Sequence, residues 1–138
     1  MYVINGKGKP LGRIASKAAE EAQKGKEVRI INAEKAIVVG KKQNIIQKYR
    51  DKFNLRDLGN PRKSPKTISR RPDLFVKRVT EKMLPMGKRR GKKAKKRIKA
   101  HLGEPEGIKK ESDDKLEIKT DRQHITIKKL CEELGLKQ

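Results

Sequence analysis

The sequence predicts an α/β fold, because short β-branched runs alternate with segments that carry an apolar stripe at helical spacing. Such alternation implies crossover connections, hence a largely parallel sheet with helices on its faces. The composition sets the scale. Hydrophobic residues are 33 % and charged residues 41 % of 138. Leu, Ile, Val and Phe together make 31 residues, about 22 %, just above the roughly 20 % at which chains stay disordered. One modest core follows, with charged extensions around it.

Tyr2-Val3-Ile4 reads as a first strand, stopped by Asn5-Gly6 and Gly8. Pro10 suits a first helical position. Leu11, Ile14, Ala15, Ala18, Ala19 and Ala22 follow as one stripe, with Gly25 as the stop. Val28–Ile31 and Ile37–Val39 read as two buried strands, each too short and too β-branched to be a helix. Asn32 to Lys35 connects them. A second helix, from about Lys41 to Leu55, carries Ile45, Ile46, Tyr49 and Phe53. A polar loop rich in turn formers (proline, glycine and serine) runs from Asp57 to Arg71.

Pro72 opens a third helix, with Asp73 near its positive end and Phe75, Val76, Val79 and Met83 as its expected buried stripe. Pro85-Met86-Gly87 ends it. Ile98, Ala100 and Leu102 then alternate as a strand closed by Gly103. An acidic connection to Asp114 leads to a short edge strand at Leu116-Glu117-Ile118. Ile127, Leu130, Cys131 and Leu134 form a last small helix, with Thr126 as N-cap and Gly135 as stop.

The formal net charge is +22, and its placement says more than its size. Residues 60–101 hold 17 basic and 2 acidic side chains, whereas residues 102–138 hold 8 and 9. Lys88 to Arg97 packs eight cations into ten residues. As a helix this run would be cationic on every side, with Ala94 its sole apolar side chain, and it would need phosphates to hold one conformation. The expected partner is a polyanion.

Other chemistries find little support. Gly6, Gly8 and Gly12 miss the spacing of a dinucleotide loop, and Lys7 and Lys9 lack a P-loop ending. Two separated histidines and the single Cys131 make neither a zinc pattern nor a nucleophilic set. No catalytic, cofactor-binding or metal-ligating residue is expected, nor a small-molecule substrate. The longest apolar run is four residues, Ala36 to Val39, against about 20 for a membrane span. Without an N-terminal signal stretch or paired cysteines, the expected location is the cytoplasm. Aromatics are only 3 %, so recognition should run through phosphate and helix shape, with little base stacking. Folded RNA is preferred over duplex DNA, because the cations come from loops, helix ends and sheet edges. An RNA-acting enzyme and a basic nucleic-acid architectural protein remain as alternatives.

Several stretches, in order, carry a resemblance. They are Leu11-Gly12-Arg13-Ile14-Ala15-Ser16, Ile30-Ile31-Asn32-Ala33-Glu34-Lys35, Val39-Gly40-Lys41-Lys42, Arg70-Arg71-Pro72-Asp73, Met83 to Gly91, and Ile98 to Gly103. From Tyr2 to Glu106 the chain resembles the L-thirteen family of the large ribosomal subunit, in its archaeal or eukaryotic-type form. That resemblance implies a three-layer fold around a parallel four-stranded sheet. It implies a structural role on large-subunit ribosomal RNA beside neighbouring ribosomal proteins. Arg13, Lys41, Lys42, Arg70, Arg71, Lys88, Arg89 and Arg90 are the first contacts it suggests, and the rest of the basic run adds Lys92, Lys93, Lys95, Lys96 and Arg97. Residues 1–106 would be the RNA-binding domain and 107–138 a C-terminal extension. Met86 and His101 depart from the aromatic residues the family often carries there.

Overall fold

A computed structural model describes residues 1–54, 69–105 and 122–135. Its strands are β1 (Tyr2–Asn5), β2 (Val28–Ile31), β3 (Ile37–Val39), β4 (Ile98–Ala100) and β5 (His124–Thr126). Its helices are α1 (Leu11–Gln23), α2 (Lys42–Asn54), α3 (Pro72–Lys82), α4 (Arg89–Arg97) and α5 (Ile127–Glu133), with one 3-10 turn at Ala33–Lys35. The architecture is mixed α/β with a largely parallel sheet. The expected strand at Leu116–Ile118, most of the loop from Asp57 and most of the acidic connection lie outside the described residues.

β2 is the central strand of a three-stranded parallel sheet in the order β1-β2-β4. β3 pairs instead with β5, antiparallel, Val38 opposite Ile125. Among the described residues the expected four parallel strands are therefore three, beside a two-stranded ribbon. An isolated parallel bridge joins Pro10, just ahead of α1, to Ile37 of β3, and the Ile37 N–H donates to the Lys9 carbonyl at 3.1 Å. β3 turns away because β5 offers it a full ladder, whereas Pro10 has no N–H to extend the bridge.

The α1 stripe is buried from Leu11 to Ala22 as its spacing demands. Alanine lets the helix approach closely, and α1 packs on β2, α3 and α4. Gly25 takes φ +98° where the chain leaves α1, a value L side chains rarely adopt. Ile4, Ile30, Val28, Ile98, Phe75, Val76 and the α5 residues Ile127, Leu130 and Cys131 share one core cluster. The Tyr49 and Phe75 rings meet edge-on, with centroids 5.2 Å apart. Thr126 caps α5 by accepting the Lys129 N–H. Burial, aided by Asp73 and Glu132, pushes the Cys131 thiol up to about 12, so it stays protonated and unreactive.

Buried Asn32 joins the ends of three strands. Its backbone is left-handed at φ 53°, which Asn tolerates better than most residues. Its N–H donates to the Gly103 carbonyl at 2.8 Å, and its side-chain amide donates to Asn5 Oδ1 at 3.1 Å and Glu104 Oε1 at 3.0 Å. This network fixes how the chain leaves β2 and β4.

Three expected core residues are outside. Val39 is 40 % exposed because it lies opposite His124 at the end of the β3–β5 ribbon. Met83 is 41 % exposed because α3 ends at Lys82, leaving Met83 as its C-cap. Leu102 is 52 % exposed because β4 stops at Ala100 and the chain bends away toward Gly103.

Candidate nucleic-acid interface

The basic run folds as α4, but it is not cationic on every side. Gly91 and Ala94 are buried, three residues apart and on one face, and they seat the helix against its neighbours. Two cations flank that face and are committed internally. Lys95 pairs with Glu81 of α3 at 3.1 Å. The Arg97 guanidinium donates to the Ala22 carbonyl at 3.4 Å, where the negative end of α1 favours a cation.

What remains points outward. Arg89, Lys92, Lys93 and Lys96 stand at i, i+3, i+4 and i+7, a single exposed ridge. Among the described residues none of the four forms an ion pair. The ridge spans about 10 Å of helix at 1.5 Å per residue. Each neighbouring pair of like charges opposes the helix by about 0.2–0.5 kcal/mol. Lys88, Arg89 and Arg90 also crowd the positive end of the α4 dipole, with no acidic residue in its first turn. Both features are relieved by phosphate.

The other candidates fall into two places. Arg13, exposed in the first turn of α1, precedes Ser16 by one turn, and the Ser16 hydroxyl lies 3.5 Å from the Met83 sulfur. Met83 leads directly into the Pro85–Gly87 turn and Lys88, so Arg13 and the start of α4 share one end of the α1–α3 pair. Arg97 stands at the other end of α1. Lys42 and Arg70 instead gather at the C-terminal end of α5. Lys42 pairs with Glu133 at 3.4 Å, and Arg50 reaches the same carboxylate at 3.8 Å. The Arg70 guanidinium sits 5.3 Å from the centre of the Phe53 ring and within 4 Å of where a Cβ on Gly135 would stand. Arg71 grips Asp73 through two bonds, at 2.8 and 3.3 Å. Lys41 is exposed ahead of α2.

A second set of cations is paired with Glu21. Its carboxylate is almost fully buried and faces Lys26 at 2.7 Å, Lys24 at 2.9 Å and Lys17 at 3.6 Å. The Lys26 ammonium, then that of Lys24, hold this carboxyl down to about 2 from an ordinary 4.5. A depressed carboxylate stabilises the fold above its unfolded value, and that stability is lost as pH falls toward the folded one. Melting temperature should therefore drop steeply between about pH 4.5 and 2. Glu21→Gln should melt lower than wild type at pH 7, and the two should converge by pH 2–3. A gap that stays constant over that window would refute the assignment. Among the described residues, no three His, Cys, Asp or Glu side chains converge as metal ligands, and no helix is long and apolar enough to cross a membrane.

The family model described as "Ribosomal protein L13" matches residues 1–107. The chain belongs to the ribosomal protein L13 family. All thirteen candidate cations fall inside the span that family covers. Relatives named large ribosomal subunit protein uL13 are similar over most of their length. That of Methanocaldococcus jannaschii is 36 % identical over 138 residues, 99 % of each chain. That of Methanococcus maripaludis is 44 % identical over 108 residues, 78 % of this chain and 79 % of the relative. That of Methanopyrus kandleri is 37 % identical over 140 residues, 96 % and 86 % of the two chains.

Two features of the interface escaped the sequence. One is which cations are free, since Glu81 and Glu133 lie far along the chain from Lys95 and Lys42. The other is the seating face of α4. The Gly91-x-x-Ala94 spacing was its signal, a pair of small residues one turn apart in an otherwise charged run.

Proposed function

We propose that this protein is a structural constituent of the large ribosomal subunit, binding folded large-subunit rRNA through lysine and arginine contacts to phosphate. The single observation that carries this reading is the outward ridge of Arg89, Lys92, Lys93 and Lys96, unpaired among the described residues on a helix otherwise anchored to the body. A self-repelling ridge on a rigid mount suits a rigid, densely charged partner. The scarcity of aromatic side chains suits helix shape and phosphate over base stacking. Membership of the L13 family, whose relatives are named as large-subunit proteins, supports the same partner. Catalysis has no part in this role, and the place of work is the cytoplasmic ribosome.

Within that reading, residues 1–106 are the RNA-binding domain, and residues 107–138 serve as an extension. β5 and α5 contribute Ile125, Ile127, Leu130 and Cys131 to the core, which is packing within this chain; the near balance of 8 basic and 9 acidic residues over 102–138 favours contact with neighbouring ribosomal proteins over RNA for the extension. The four-stranded, three-layer arrangement that the family implies would draw its fourth strand from β3, which meets Pro10 through an isolated parallel bridge.

The test is sedimentation of cell extract on gradients at low and high salt. The protein should travel with large subunits at low salt and be stripped progressively as salt rises. A protein that stays at the top of the low-salt gradient would overturn the proposal.

A further inference from the structure

α4 meets the turn that precedes it at a residue with no side chain. A Cβ on Gly91 would fall far inside van der Waals contact with the carbonyl oxygen and carbon of Pro85, and 3.2 Å from the Met86 nitrogen. All three are backbone atoms, so no rotamer change can clear them. The turn that presents them is braced: the Lys88 N–H donates to the Pro85 carbonyl at 3.0 Å, and the Met86 N–H to the Leu84 carbonyl at 2.8 Å. One turn along, Ala94 is fully buried, and α4 packs on α1 along this side. Glycine inside a helix is ordinarily worse than alanine. Here propensity favours alanine and space refuses it.

We propose that Gly91 is a positioning residue for the RNA interface. It bears no charge and touches no phosphate, yet its missing side chain sets the depth and rotation of α4. That rotation decides where Arg89, Lys92, Lys93 and Lys96 point. Added bulk would lift the N-terminal half of α4, while the Arg97 bond to Ala22 holds the other end. The ridge of four cations would then swing away from its native direction. The inference rests on the RNA-binding reading given above.

The experiment compares Gly91→Ala with wild type for affinity to deproteinised large-subunit rRNA over a series of salt concentrations. Circular dichroism and thermal melts confirm the fold. Both proteins carry the same net charge, +22, so a purely structural or bulk-charge role leaves the salt slope unmoved. Positioning predicts an affinity decrease of about tenfold or more. It also predicts a slope shallower by about 1–3 units, roughly one for each phosphate the ridge no longer reaches. A folded Gly91→Ala with wild-type affinity and slope overturns the proposal alone. A wild-type protein indifferent to the RNA overturns the underlying reading with it. Should Gly91→Ala fail to fold, Pro85→Gly combined with Gly91→Ala frees the turn to move its carbonyl aside. Because the turn and not the helix then yields, that double variant should fold with α4 near its native seat and bind with affinity and slope close to wild type. A double variant that folds yet keeps the shallow slope, or one that fails to fold, overturns the proposal.

Discussion

Replacing Arg89, Lys92, Lys93 and Lys96 together by alanine should make the free protein more stable while nearly abolishing its hold on RNA. The two effects have one cause. On the folded helix these residues form four like-charge neighbours at i+3 or i+4, each unfavourable by about 0.2–0.5 kcal/mol. Their removal should stabilise the protein by about 1–2 kcal/mol, and alanine's helix propensity adds to this. Against folded rRNA the balance reverses. Four phosphate contacts at about 0.7–0.9 units of salt slope each account for about 3 units, or roughly 10²–10³-fold in affinity near 0.15 M salt. Melts and salt-series binding on the same preparation check both halves. The consecutive triplet Lys88, Arg89, Arg90 should cost less than this ridge, because consecutive residues point about 100° apart and only Arg89 lies on it. A quadruple variant that melts lower than wild type would show that the ridge serves folding, and would remove the argument that it exists for phosphate.

The same contrast explains what could be read from the sequence. α1 was fully legible, because six apolar residues at helical spacing, from Leu11 to Ala22, leave one way to bury them. β1, β2, β3 and the capped helix α5 were legible from β-branched runs and from Thr126 and Gly135 at the ends. β5 was not. His124-Ile125-Thr126 has one apolar residue, and its partner β3 lies some ninety positions earlier. Nothing local marks such a strand, so the change from four parallel strands to three and a ribbon was invisible. The charge-bearing region was legible as a region and not as a surface. Which cations stay free depends on acids brought by other helices, and which face of α4 is buried depends on Gly91 and Ala94, too small to register as an apolar stripe.

Ile31→Asp should leave no folded protein at all. Ile31 is 1 % exposed, closes β2 opposite Asn5, and directly precedes Asn32 with its network across the strand ends. Losing the aliphatic side chain alone costs about 2–5 kcal/mol by analogy with truncation to alanine. A carboxylate in its place adds several kcal/mol of lost hydration, which Arg29, two residues back on the same face of β2, offsets only in part. The sum reaches or exceeds the roughly 5–15 kcal/mol that holds a domain of this size together. The charge does not help elsewhere: one more acid lowers a net charge of +22 only slightly, so self-repulsion is barely relieved. Ile31→Val, which keeps the strand and removes one methylene, should cost only about 0.5–1.5 kcal/mol and bind RNA as wild type. Far-ultraviolet circular dichroism and a thermal melt separate the pair. A cooperative melt in the aspartate variant would mean that β2 is not the buried centre of the sheet, and the ridge on α4 would then be without the mount from which its direction was argued.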